Sequence, residues 1–327
     1  MMIPNKNVAV RRLGRTELLI SEVGFGAWGI GGATDGATSY GETDDNISRD
    51  ALAAAFDRGI TFFDTSGVYG YGRSERLIGE VFSDRREKVV IATKAGIFRY
   101  DKAPDYSPCA LRHSVIESLR RLNTDYIDLL QLHNPTPDQL SADPDIFATL
   151  EALRREGYIR AYGCSPKSPE DAVTMIRDFA VPVVQINLNM LDIRAVTCGV
   201  MAAASFAGAG IIARTPLCFG FLTGTLTAET IFPPQDHRSR WPKAQIRRWI
   251  EAAGEVLQAS NAPSGQSPSQ IALRYCLSYP EVASAIPGIL TREEVEENAA
   301  ASAMGPLPPS VIMKIEAMNR EQRNFLG

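Results

Sequence analysis

Histidine is scarce in this chain, three in 327 residues, and the five cysteines are widely scattered. Cys109, Cys164, Cys198, Cys218 and Cys276 form no C-x-x-C pair and are odd in number, so neither a metal site nor a disulfide framework is expected. The thiols read as reduced, which suits a cytoplasmic protein. Long basic runs are missing too: beyond short pairs such as Arg85-Arg86 and Arg247-Arg248 there is no Lys/Arg block. The net charge is −4. Nucleic acid and anionic membrane surfaces are therefore not expected as main partners. No apolar run is long enough to span a bilayer, and Met1 to Lys6 lacks an apolar leader, so a soluble, intracellular protein is expected.

Repeats, low-complexity tracts and charged linkers are absent as well. The length alone would suggest two domains, but one regular alternation runs through the chain and favours a single domain over 1–327. Val10 to Ile20, two short runs about Gly14, predicts a β-hairpin able to cover one end of a larger sheet. Gly24-Phe25-Gly26-Ala27-Trp28-Gly29 matches G-x-G-x-x-G. A dinucleotide fingerprint needs a helix opening at its last glycine, whereas the next helical pattern here begins near Asp44, so the stretch reads as a strand with a glycine-rich loop.

From there apolar, β-branched runs alternate with amphipathic ones. Strands are expected at Val23–Gly26, Ile60–Asp64, Lys88–Lys94, Tyr126–Leu132, Tyr158–Cys164, Val183–Asn187, Gly210–Ala213 and Val282–Ile286. Helices are expected between them, including single ones over Pro144–Glu156 and Ala195–Ala207, with further helices near Arg292–Ala301 and Pro309–Asn319. Eight βα units predict an α/β fold closed as a (β/α)8 TIM barrel, with an N-terminal hairpin and additional C-terminal helices.

Three successive strands end in ionisable residues: Asp64, with Tyr69 on the loop above it, Lys94, and His133. Taken singly, each has an ordinary explanation, as a turn cap, a solvated terminus, packing or a rim residue. A strand covered on both faces has no reason of its own to end this way, and in a barrel these ends share one face. A phenol titrates near 10; a neighbouring ammonium would lower that value, and a carboxylate would hold the ammonium. His133 would orient a carbonyl oxygen toward the phenol. The set suits protonation of an oxygen as hydride reaches its carbon.

Several fragments, in this order, resemble the aldo-keto reductase superfamily. They are Arg12-Leu13-Gly14 with Gly24-Phe25-Gly26, Phe63-Asp64-Thr65 with Tyr69-Gly70, Ala92-Thr93-Lys94, Asp128 to His133, Arg160 to Ser165, Gln185-Ile186-Asn187, Pro216-Leu217 with Gly220 and Leu222-Thr223-Gly224, and Ala285 to Gly288 with Glu297-Asn298. The resemblance covers nearly the whole chain. It implies an NAD(P)H-dependent reductase of small carbonyl compounds, with Tyr69 as general acid/base, Lys94 and Asp64 as the pair tuning it, and His133 orienting the carbonyl.

The resemblance also implies a cofactor set. Ser165 and Gln185 match residues that hold the nicotinamide carboxamide, although Pro166 stands where Asn is usual. Arg214 takes the place of an aromatic that stacks on the nicotinamide, and its planar guanidinium is expected to stack instead. Pro216, Leu217, Gly220, Leu222, Gly288, Thr291, Glu297 and Asn298 complete the set, Asn298 being either an adenine contact or a helix-surface residue. NADP(H) is the family default and NAD(H) the alternative, because Arg292 lies next to Glu293 and Glu294, where a 2′-phosphate would be poorly compensated.

Trp28, Phe98 and Tyr100 are expected to rim the substrate pocket, and residues 226–240 form either a lid or an ordinary surface excursion. His113 and His237 receive no role. Two other readings remain: a cofactor-bound regulatory subunit, since the superfamily includes potassium-channel β subunits, and a Schiff-base aldolase using Lys94. Substrate identity and oligomeric state are not legible.

Overall fold

The computed structural model describes residues 8–261 and 265–322; Met1 to Lys6 lies outside them. The chain opens with an antiparallel hairpin, β1 (Val10–Arg12) and β2 (Leu19–Ser21). Eight parallel strands follow: β3 (Phe25–Gly26), β4 (Phe62–Asp64), β5 (Val90–Ala95), β6 (Ile127–His133), β7 (Ile159–Ser165), β8 (Val183–Asn187), β9 (Gly210–Arg214) and β10 (Val282–Ile286). Each pairs with its neighbour in sequence. Bridges from Val23 to Ala285 and from Gly26 to Gly288 bring the first strand against the last and nearly close the barrel. Helices surround it.

Helix starts are strongly marked. Ser107-Pro108, Thr136-Pro137, Ser168-Pro169 and Ser267-Pro268 each pair an N-cap hydroxyl, accepting from the backbone of the first turn, with a proline in that turn. Proline's fixed φ suits this position, and such a cap contributes about 1 kcal/mol. At two places the structure departs from expectation. The helix expected over 195–207 is two, Arg194–Thr197 and Val200–Ala207, because Gly199 between them sits at φ 91°. An additional short helix, Pro137–Ala142, precedes Asp145–Arg155, started by a capping box between Thr136 and Gln139.

The period of two along each strand builds the site. Phe62, Ala92, Leu129, Ala161, Val183 and Ile212 point into the barrel, where they pack on Leu13, Leu18 and Ile20 of the hairpin, which closes the amino end as expected. Fully burying one such leucine or isoleucine contributes about 1.5–3 kcal/mol. Two residues beyond each floor residue, on the same face, stand Asp64, Lys94, Gln131, Gly163, Gln185 and Arg214. Two further, His133, Ser165 and Asn187 reach the carboxyl end. An apolar floor thus carries a polar upper layer.

Candidate active site

Asp64 lies at the centre of the upper layer. Its Oδ1 accepts from Lys94 Nζ at 2.5 Å, and its Oδ2 accepts from Gln131 Nε2 at 2.9 Å and Gln185 Nε2 at 2.7 Å. Lys94 Nζ also donates to the Thr65 carbonyl at 2.9 Å. Both charges are buried, and the pair is sustained by the further hydrogen bonds that each partner makes. Burial draws the Lys94 pKa down, against the pull of Asp64.

Tyr69 is held above this pair by its loop. Its N–H donates to the Ser66 carbonyl at 3.0 Å, and the next residue, Gly70, turns the chain at φ 58°. A Cβ on Gly70 would lie 2.1 Å from the Gly31 carbonyl oxygen, so only glycine permits this approach of the two loops. The Tyr69 ring lies 5.0 Å from Lys94 Nζ and 6.0 Å from the His133 ring, at 86° to it. The lowered phenol pKa expected from sequence is corrected here: burial raises it, the Asp64 carboxylate adds to the rise, and Arg214 opposes it. The phenol therefore holds its proton at neutrality.

His133 Nδ1 lies 3.3 Å from Ser66 Oγ, and the residue's carbonyl accepts from the Tyr106 hydroxyl at 2.7 Å. Burial, then the nearby Lys94, Arg214 and Lys167, push its pKa well below the usual value. The imidazole is neutral near pH 7.

Two adjoining clefts open on this face. One, of about 310 Å³, is lined by Tyr69, His133, Asp64, Gln185, Arg214, Trp28 and Tyr100, together with Asn134, Lys167 and Asn187. The other, of about 400 Å³, is lined by Pro216, Leu217, Gly220, Leu290, Glu294, Glu297 and Asn298. Tyr40, Thr215, Phe219 and Gly288 border both, so the clefts form one elongated depression. A larger hollow of about 650 Å³ lies at the hairpin end, but its arginines are already engaged: Arg154 with Glu151, Arg160 with Asp128, and Arg15 with the Ala207 and Ala180 carbonyls.

Residues 226–240 cross toward the loop after β3. Asp236 bridges to Ser39 and Tyr40, and the His237 N–H donates to the Ser39 carbonyl at 2.8 Å. Arg238 donates to Asp236 Oδ2 at 2.7 Å and to the Phe219 carbonyl at 3.0 Å, with its guanidinium 4.9 Å from the Tyr40 ring centre. His237, given no role from sequence, packs against Trp28, Tyr40, Phe219 and Trp241.

Not every expected residue faces the depression. Phe98 stacks on His113 at 6.1 Å, away from Trp28 and Tyr100. Leu222 is fully buried in the core, and Thr291 caps the helix Arg292–Ala303 by accepting from Glu294 N. Ser165 and Gln185 bond to each other at 3.3 Å, and Ser165 Oγ accepts from Arg214 Nη1 at 3.1 Å. Tyr40, Asn134, Asn187, Phe219 and Arg238 were not singled out. They lie on loops or within ordinary motifs, and only Gln131 carried a sequence signal, as a polar residue inside an apolar strand.

A profile of the Aldo/keto reductase family matches residues 22–320. The chain belongs to the aldo/keto reductase family. Members of this family are generally NAD(P)H-dependent carbonyl reductases. The aldo-keto reductase YhdN of Bacillus subtilis (strain 168) is 31% identical over 277 residues, covering 81% of this chain and 80% of that protein. The NADH-specific methylglyoxal reductase of Escherichia coli (strain K12) is 29% identical, covering 88% of this chain and 92% of its own. Among solved structures, the glycerol dehydrogenase AKR11B4 from Gluconobacter oxydans superposes with a TM-score of 0.78 at 29% identity, covering 95% of each chain. Among the described residues, no helix is long and apolar enough to cross a membrane.

The residues at the two clefts fit a nicotinamide dinucleotide. The depression is elongated, and Asn298, which is only 2% exposed, lines it and has a buried side-chain oxygen with no hydrogen-bond partner. A buried orphan acceptor of this kind is costly unless a ligand donor meets it.

Proposed function

We propose that this protein reduces an aldehyde or ketone to its alcohol with a nicotinamide dinucleotide, Tyr69 acting as the proton donor. The observation that carries the reading is the gathering of Tyr69, His133 and the Asp64–Lys94 pair at one end of the elongated depression. Bound nicotinamide supplies hydride to the carbonyl carbon. Tyr69 gives its proton to the carbonyl oxygen, and the phenolate left behind is stabilised by the Lys94 ammonium that Asp64 anchors. With Ser66 donating to Nδ1, the neutral His133 carries its proton on Nε2 and donates from there to the same oxygen. Trp28 and Tyr100 rim the substrate end and help to exclude water.

Asn298 and Glu297 hold the adenine end, Pro216, Leu217, Gly220 and Gly288 line the path between, and Arg238 faces the phosphates. Asn134 and Asn187, their oxygens turned to Arg214, are the amides left for the carboxamide, since Gln185 is bound to Asp64. NAD(H) suits this chain better than the family-default NADP(H). Glu294 Oε2 accepts from the backbone N–H groups of Leu290 at 2.6 Å and Thr291 at 3.4 Å, so the donors an added phosphate would use already hold a carboxylate. Arg292 is taken up by Asp50 at 2.8 Å and 2.5 Å.

A Schiff-base reading fits poorly, because Lys94 is enclosed and hydrogen-bonded to Asp64. The test is oxidation of NADH and NADPH by wild type and Tyr69→Phe, with a panel of simple aldehydes and sugar-like carbonyls. Removing the general acid is expected to cost about 10²- to 10⁴-fold in kcat with nucleotide affinity retained. Nucleotide binding with no turnover on the panel would favour a regulatory subunit instead.

A further inference from the structure

Arg214 is an unusual cation for this place. Its Nε donates to Asn187 Oδ1 at 2.8 Å, Nη1 to Ser165 Oγ at 3.1 Å and Asn134 Oδ1 at 3.4 Å, and Nη2 to the Pro166 carbonyl at 3.0 Å. All four acceptors are neutral. Among the described residues Arg214 makes no ion pair, while many exposed arginines of this chain do. The guanidinium is thus fixed by geometry and left with its full charge.

The surrounding charges do not cancel it. Of the ionisable groups lining the cleft, Asp64 is neutralised by Lys94, His133 is uncharged, Tyr69 keeps its proton, and Lys167 adds a second cation at the rim. Asp192 and Arg194, also within electrostatic reach of Arg214, pair with each other at 2.7 Å. The cleft beside Tyr69 therefore has an excess of about two positive charges, and the one on Arg214 is part-buried, where charges interact more strongly than in bulk water.

We propose that Arg214, assisted by Lys167, makes this site bind reduced nicotinamide more tightly than oxidised, and so biases the protein toward carbonyl reduction. The inference rests on the reductase reading above. The oxidised ring carries a positive charge and the reduced ring is neutral. Both nucleotide forms share the same adenosine and pyrophosphate, so those interactions cancel in the comparison. What remains is the repulsion between the cleft's cations and the oxidised ring. A ligand shifts an equilibrium only by its differential affinity, and here the difference lies in one charge.

The experiment measures dissociation constants for NADH and NAD⁺ separately, by fluorescence titration without any carbonyl compound, in wild type, Arg214→Gln, Arg214→Lys and Lys167→Gln. Wild type is expected to bind NADH at least tenfold more tightly than NAD⁺. Arg214→Gln should bring that ratio about tenfold closer to one, and Lys167→Gln about two- to threefold closer, its charge being exposed and screened. Arg214→Lys separates charge from scaffolding, since it loses the planar hydrogen-bond pattern but keeps the cation, and it should hold a ratio near that of wild type. A wild-type ratio of one or less overturns the proposal, even if Arg214→Gln fails to fold. So does a ratio that Arg214→Gln leaves unchanged, or that Arg214→Lys loses equally. If neither nucleotide binds wild type, the reductase reading itself fails.

Discussion

The side-chain amide of Gln185 donates to Asp64 Oδ2 at 2.7 Å, and Gln131 donates to the same oxygen at 2.9 Å while Lys94 holds the other. Three strands besides β4 therefore converge on one buried carboxylate. Asp64 is buried and already holds three donors, and the part proposed for it is to fix the ammonium beneath Tyr69. Replacing Gln185 or Gln131 by leucine removes one donor from a buried charge, expected to cost about 1–3 kcal/mol of unfolding free energy, measured by denaturant titration. Because the two amides share an acceptor and contact each other at 3.2 Å, the double variant should depart from additivity. Additive losses would show that they brace Asp64 independently.

Gly70 ties the Tyr69 loop to the loop after β3. Gly70→Ala places a methyl 2.1 Å from the Gly31 carbonyl oxygen at φ 58°, so both stability and turnover should fall. Gly157→Ala is the comparison, since it meets a positive φ of 85° with no atom within 4 Å and should cost only about 1 kcal/mol, with turnover intact. Equal losses in the two variants would mean that backbone conformation, not the contact between loops, sets the position of Tyr69.

The pH dependence follows from two neutral groups. Burial and Asp64 raise the Tyr69 pKa, and burial and Lys94 depress that of His133. The phenol is therefore protonated, and the imidazole uncharged, throughout the neutral range. Reduction should show a kcat/KM flat from about pH 6 to about pH 9, whereas alcohol oxidation, which needs the phenolate, should still be rising at the upper limit. An ionisation near pH 7 that vanishes in His133→Asn would contradict the neutral imidazole.

Glu294→Gln tests nucleotide choice. Glutamine completes the capping box at Thr291 as glutamate does, so the helix start should survive. Removing the carboxylate from the cleft should tighten NADPH by roughly tenfold and leave NADH nearly unchanged, in line with the repulsion between close like charges. Direct titration of both nucleotides checks it. Unchanged NADPH affinity would place the 2′-phosphate away from Glu294.

Much of the fold was legible because β-branched runs and Ser/Thr-Pro starts are local signals that tertiary packing has no reason to override. The strand-end residues Asp64, Lys94 and His133 were legible for the same reason, as ionisable groups that an apolar strand does not otherwise explain. Tyr40, His237 and Arg238 were not, because they come from loops without a period, about two hundred residues apart, that meet only over the closed barrel. Phe98 and Leu222 show the opposite failure. An aromatic or aliphatic residue after a strand can turn outward or into the core, and nothing local distinguishes these from facing a cleft.

The sequence alone determined the order of elements, the inward face of each strand and the identity of the groups in the upper layer. Only the tertiary structure decided which of those groups satisfy one another and which remain for a ligand. Gln185 is spent on Asp64, Glu294 on its own helix start and Arg214 on four neutral acceptors, while the Asn298 oxygen is left without a partner. The reason is physical. A hydrogen bond is made or lost within a few tenths of an ångström, and those distances are set by the register in which separate strands close the barrel.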